Sequence, residues 1–250
     1  MSGTAGSPGP SGPRLPGQTV VVLGGSAGIG YETARLARAE GADVVLVGRD
    51  PEHLRQAAVE IGAVSTAAFD ATDPERLREF FAELPGPVDH VLVTAGGNYY
   101  ARLADLDFTR VQGLVDEHLL LPLHLARAVV GRMRPSGALL FMGGTGGRRP
   151  GLGQVVSGAM TAALPPLVAN LALELAPIRV NLIAAGFVDT PLSARLLGDE
   201  LEKRREQLRT TLPIGRVVGP ADVAALAVHL MVNTALTGAT YDIDGGQQLT

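Results

Sequence analysis

The chain of 250 residues contains no cysteine, which excludes disulfides, thiol nucleophiles and thiolate metal ligands together. It also lacks any long run of one charge sign, and with a net charge of −4 it offers no electrostatic footprint for nucleic acid or an anionic membrane. No apolar run approaches the ~20 residues needed to cross a bilayer. Residues 1–17, rich in Gly, Pro and Ser, lack the apolar centre of a signal peptide. We therefore expect no nucleic-acid or membrane partner, a cytoplasmic location, and a disordered tail over 1–17. Residues 18–250 suffice for a single α/β domain with a sizeable core.

What is present is organised around Val20–Gly30, which reads VVVLGGSAGIG. A β-branched run ends in a glycine-rich turn, after which Ile29, Ala34, Leu36 and Ala37 recur at helical spacing. Glycines at 24, 28 and 30 let the backbone turn sharply and approach a pyrophosphate, whose charge the helix N-terminus would hold. A bare strand-to-helix turn accounts for the same residues.

Strands and helices alternate along the rest of the chain, which predicts a doubly wound parallel sheet with helices on both faces. The strands are Val44–Val47, Val64–Phe69, Val88–Val93, Gly137–Met142, Arg179–Ala184 and Ala239–Ile243. Between them lie helical patterns over Pro51–Ile61, from Pro74 with Asp73 as cap, over Phe108–Met133, Ser157–Ala176 and Asp222–Met231. The charged helix Gly198–Thr211 belongs to a small lid around 190–212. Pro165 and Pro166 fall inside the helix Ser157–Ala176 and predict a kink or restart. After the second strand, Val47 and Gly48 offer no carboxylate for a ribose 2′-OH, while Arg49 can pair with a 2′-phosphate, which favours NADP(H) over NAD.

With these pieces in order, the sequence resembles the short-chain dehydrogenase/reductase family from Thr19 to Gly246. The glycine motif stands at Leu23–Gly30, an N-N-A-G counterpart at Val93–Gly96, an adenine-side aspartate at Asp70, a P-G-x-x-x-T counterpart at Ala185–Thr190 and D-G-G at Asp244–Gly246. The resemblance implies a seven-stranded Rossmann fold, a nicotinamide cofactor, a small-molecule substrate and a homodimer or homotetramer. The residues expected at the cofactor are Gly24, Ser26, Ala27, Gly28, Ile29, Gly30, Arg49, Asp70, Ala71, Ala95, Gly96, Gly97, Gly186, Val188 and Thr190.

The departures lie in the chemistry. Members of the family use a Tyr-x-x-x-Lys pair, whose phenol donates a proton while the ammonium lowers its pKa. Ser157 and Thr161 stand at those places, Gly144 beside Thr145 at the family's serine, and His118 at its asparagine. The candidates for a replacement acid are Tyr99, Tyr100, His118, Thr145 and Ser157. Three readings stay open: a reductase with a different acid, an NADP(H)-binding sensor or structural subunit without catalysis, or hydride transfer to an activated C=C. The tyrosines also read as pocket walls, His118 as a half-buried helix residue, and Arg148 and Arg149 as a loop pair or a substrate-carboxylate contact. His118 and His124, six residues apart, face different sides of a helix, so no metal site is expected.

Overall fold

Runs of valine and leucine form the strands at the centre of the molecule, where both faces are covered and no polar alternation is needed. The computed structural model describes residues 12–250. Its strands are β1 (Thr19–Leu23), β2 (Asp43–Gly48), β3 (Ser65–Ala68), β4 (Val88–Val93), β5 (Met133–Gly144), β6 (Arg179–Ala185) and β7 (Thr240–Ile243). They form one seven-stranded sheet, all pairs parallel, in the order β3-β2-β1-β4-β5-β6-β7. The fold is thus the Rossmann-type doubly wound sheet expected, with the strand order reversing between β1 and β4.

The helices are α1 (Gly28–Ala39), α2 (Pro51–Ile61), α3 (Pro74–Glu83), α4 (Phe108–Val115), α5 (Leu121–Val129), α6 (Val155–Glu174), α7 (Pro191–Leu197), α8 (Leu201–Thr211) and α9 (Pro220–Val232). On one face, α3, α5 and α6 bury Leu77, Leu125 and Val168 against Val21, Val91 and Leu139; on the other, α1, α2 and α9 bury Ala34, Leu54 and Val228 against Val22, Leu46 and Leu140. Asp50 and Asp73 cap α2 and α3, each accepting two backbone N–H bonds with a proline following.

Four expectations need correction. The ordered chain begins before residue 18: Leu15 is fully buried among the α1-side residues, its N–H bonds Glu40 O at 2.8 Å, and Arg14 pairs with Glu40. An apolar side chain that finds a gap beside α1 is held there; residues 1–11 of the expected tail lie outside the described residues. The helix expected over Phe108–Met133 is interrupted by a π turn at Asp116–Leu120, ends at Val129, and yields Met133 to β5. Pro122 has no N–H for the His118 carbonyl and its ring crowds it, so the turn before it widens.

The helix containing Pro165 and Pro166 is a single element of 20 residues. Each proline deletes one ladder bond, but Leu164, Val168, Leu171 and Ala172 remain anchored to the sheet and hold the turns on either side. The restart does not occur. The same helix is long and apolar enough, by length and composition, to cross a membrane, contrary to the reading that no such stretch exists. Here it packs along β5 and β6.

Beneath the sheet, His90 fills the register shift between β4 and β5: its Nδ1 accepts the Ala138 N–H at 3.2 Å and its Nε2 faces Gln18 Oε1 at 2.7 Å. Nδ1 must therefore be unprotonated. Burial, with a smaller contribution from Arg179, lowers the His90 pKa from 6.5 to about 3. Below pH 6.5 the unfolded chain takes up a proton that the native imidazole refuses until about pH 3, so stability falls as the pH drops through that window. The slope is about 1.4 kcal/mol per pH unit, and on the order of 2–3 kcal/mol should be lost between pH 6.5 and 4.5. Thermal unfolding of wild type and His90→Gln across that range checks this; the variant should show the shallower dependence.

Candidate active site

The carboxyl ends of the strands open into a cleft of about 990 Å³, and all fifteen residues expected at a cofactor line it. At its floor Gly24 (φ +92°) and Gly28 (φ +58°) occupy left-handed backbone that other residues adopt only with strain. A Cβ on Gly30 would stand 2.2 Å from Gly24 O and 2.5 Å from Thr94 Oγ1, so the turn and α1 are in direct contact. Thr94 fastens this turn to β4 through its hydroxyl, which donates to the carbonyls of Leu23 and Gly24, both at 3.1 Å.

Helices α2, α3, α4 and α7 have side-chain caps from Asp50, Asp73, Asp107 and Thr190, whereas Ala27 at the start of α1 provides none. The first N–H groups of α1 thus meet the cleft without a side-chain acceptor, the arrangement that suits a phosphate. A pyrophosphate fits this cradle.

On the β2 side, Arg49 is exposed, lines the cleft, and has no carboxylate partner among the described residues. Asp50, the nearest acid, is turned away to accept the N–H groups of Glu52 and His53. Ser26 Oγ lies 3.5 Å from the point where a Gly48 Cβ would stand. Asp70 Oδ1 accepts from the Thr72 N–H and hydroxyl, leaving its other oxygen for a donor in the cleft.

The candidate acids divide. Tyr100, His118, Thr145 and Ser157 all line the cleft; Tyr99 does not. Tyr99 is buried, its hydroxyl accepts the Asp107 N–H at 2.9 Å, and the Arg110 guanidinium lies 4.1 Å from its ring centre. It anchors the start of α4 and leaves the list of acids. Tyr100 is half exposed, and desolvation raises its pKa above that of an ordinary phenol, making it a weaker acid. His118 Nε2 faces Gly97 O at 3.1 Å, while the neighbouring Glu117 accepts the Gly97 N–H at 2.8 Å. The π turn thereby holds both sides of one residue in the β4 loop.

Ser157 is buried and its Oγ has no hydrogen-bond partner. Thr161 Oγ1 donates into its own helix, with Ser157 O at 3.0 Å and Gly158 O at 3.1 Å. The sequence holds one lysine, Lys203, which pairs with Glu200 on the exposed side of α8, outside the cleft lining. No lysine can therefore stand beside Ser157.

The lid crosses the mouth of the cleft. Thr190 caps α7 by accepting the Ser193 N–H, and Arg205 ties α8 to the β6 loop through Asp189 at 2.7 Å. Leu196 and Leu197 line the cleft, while Leu201 does not. Arg148 is exposed, as a loop arginine, and pairs with Asp242 of β7 outside the cleft lining; Arg149 lines the cleft and donates to the Gln247 carbonyl and to the terminal oxygen of Thr250. The sequence reading missed Glu117, Gln154, Arg195, Arg204 and Gln247 in the lining. For Glu117 a signal existed in its place beside His118; nothing in the pattern of α8 distinguishes Arg204 from its neighbours.

A family model described as Enoyl-(Acyl carrier protein) reductase matches residues 24–248. The chain is 34% identical to galactitol 2-dehydrogenase (L-tagatose-forming) of Cereibacter sphaeroides, over 93% of this chain and 96% of that protein. It is 31% identical to 3-oxoacyl-[acyl-carrier-protein] reductase of Bos taurus, over 92% of this chain and 97% of that protein. Among solved structures, L-sorbose reductase of Gluconobacter frateurii, complexed with NADPH and L-sorbose, has a TM-score of 0.86 at 26% identity, covering 94% of this chain and 98% of that one. The matched family model, the extent of these likenesses and the seven-stranded sheet with its glycine turn agree: the chain belongs to the short-chain dehydrogenase/reductase family.

Proposed function

We propose that this protein binds NADP(H) and transfers a hydride between it and a small carbonyl or alcohol compound, through a site without the family's tyrosine–lysine pair. The observation that carries this reading is the cleft itself, which runs unbroken from the uncapped N-terminus of α1 to the lid. Within it the glycine turn and α1 would hold the pyrophosphate, Asp70 the adenine, and Gly186, Val188 and Thr190 the nicotinamide side. Arg49, with Ser26 near Gly48, supports preference for the 2′-phosphate, and the complex of L-sorbose reductase with NADPH agrees with that choice. When bound, the cofactor supplies the hydride; the chain orients the substrate and provides or withholds the proton.

Fluorescence titration tests the cofactor assignment. NADPH should bind roughly tenfold or more tightly than NADH, and Arg49→Asp should remove or invert the difference. Equal binding of both cofactors by the wild type would overturn it. A second reading, an NADP(H) sensor or structural subunit without turnover, is favoured by Thr161, whose hydroxyl is spent within its own helix, and by the remote Lys203. A screen of aldehydes, ketones and enones with NADPH separates the two: turnover supports the reductase, tight binding without turnover the sensor.

A further inference from the structure

Eleven arginines of this acidic chain are paired with carboxylates: Arg14, Arg35, Arg38, Arg55, Arg76, Arg78, Arg134, Arg148, Arg205, Arg209 and Arg216. Of the other nine, three stand on the lid side of the cleft. Arg149 from the β5–α6 loop already donates to the Gln247 carbonyl and to the terminal carboxylate oxygen of Thr250, whereas Arg204 from α8 donates to the neutral Gln207 amide at 2.8 Å, and Arg195 of α7 has no hydrogen-bond or ion-pair partner among the described residues. On α8 itself, Lys203, Arg205 and Arg209 are neutralised by Glu200, Glu202 and Glu206, and Arg204 alone among these cations is turned to the cleft.

Two side-chain carboxylates line the cleft, and neither balances Arg195 or Arg204. Asp70 lies at the far end beyond β3, held by Thr72, and Glu117 already accepts the Gly97 N–H. A protein of net charge −4 thus leaves two guanidiniums, one from α7 and one from α8, without an anionic partner at one opening. Low-dielectric walls concentrate such a field on whatever enters, and a guanidinium offers its donors as a planar fork matched to an oxyanion.

We infer that the substrate is an organic anion, a carbonyl or alcohol compound whose carboxylate or phosphate group is held at the cleft mouth by Arg195 and Arg204. This deepens the proposed oxidoreductase reading and rests on it for the reacting group, not for the anion. The lid placement gives the pairing a second consequence. Charge brought in by the substrate supplies the partner that α7 and α8 lack, so binding draws the lid onto the cleft.

The test measures calorimetric binding of matched probes to the NADPH-loaded protein: 4-oxopentanoate against its methyl ester, and dihydroxyacetone phosphate against dihydroxyacetone. At least one anion should bind tenfold or more tightly than its neutral partner, and the preference should shrink as salt is raised. A preference confined to the first pair identifies a carboxylate, and one confined to the second a phosphate. In the Arg195→Gln/Arg204→Gln double variant the preference should fall to within twofold, while Arg209→Gln, on the same helix but paired with Glu206, keeps it. Absence of any preference, or its survival in the double variant, overturns the inference. NADPH affinity is read separately by fluorescence; its loss in wild type would overturn the cofactor reading, while the same probe pairs on the unloaded protein would still report the anion site.

Discussion

Gly30→Ala should cost the protein both stability and affinity for NADPH. The backbone at Gly30 is not left-handed, and in a helix interior alanine would ordinarily gain about 1 kcal/mol over glycine. Sterics decide the sign. The added methyl would stand 2.2 Å from Gly24 O, a backbone atom that cannot swing aside, and 2.5 Å from Thr94 Oγ1, whose hydrogen bonds tie the turn to β4. Overpacking costs about 1–3 kcal/mol where side chains can adjust, and more is expected against backbone. The turn must open, moving the N-terminus of α1 away from the place where a pyrophosphate would sit. We expect a fall in Tm of roughly 5–10 °C and an NADPH affinity lowered about 100-fold or more. Gly28→Ala provides the contrast. Its Cβ would meet nothing closer than 3.6 Å, so its stability loss reflects the left-handed φ alone, roughly 1–2 kcal/mol. Equal Tm values for Gly30→Ala and wild type would show that the turn has slack and that the glycine is not required there.

The glycine turn could be read from sequence because its constraint is local: a strand, a reversal and a helix within eleven residues leave few conformations. The cap at Asp73 was legible for the same reason, followed at once by proline. Constraints that come from elsewhere in the chain were not. Tyr99 and Tyr100 are adjacent in the loop after β4, and only the packing of Arg110 and Asp107 against Tyr99 tells the buried one from the one that lines the cleft. The strand was expected to begin only at Gly137, yet Gly137 lies where a Cβ would be 2.4 Å from Asp89 O, and β5 starts at Met133 alongside its partner β4. On α8, Lys203, Arg204 and Arg205 look alike in sequence; the acids three residues away pair with two of them and leave the third to the cleft.

The largest change in rate is expected from adding chemistry rather than removing it. In the proposed reading Ser157 and Thr161 occupy the places of the family's phenol and ammonium, and neither hydroxyl can do that work: Ser157 Oγ is buried without a partner, and Thr161 Oγ1 is bonded to its own helix. Tyr100, the phenol left in the cleft lining, has its pKa raised by desolvation and has no lysine to lower it. Wild-type hydride transfer to a ketone should therefore be slow, with the proton drawn from a weak acid or water. Both Ser157 and Thr161 line the cleft, so the longer side chains of Ser157→Tyr and Thr161→Lys can project into it. Together they would place a phenol beside a cation that lowers its pKa, and general-acid catalysis of that kind contributes roughly 10²–10⁴ in rate. The tyrosine alone should recover only part of this, since an unassisted phenol stays near pKa ~10, and the lysine alone none. Single-turnover oxidation of NADPH by the four proteins, each first shown to bind NADPH, measures the effect. A gain in the double variant locates the deficit in the acid and implies that the cleft already positions both reactants. A double variant that binds NADPH normally yet reduces nothing the wild type does not would mean that the substrate is not held for hydride transfer at all, which is what the sensor reading requires.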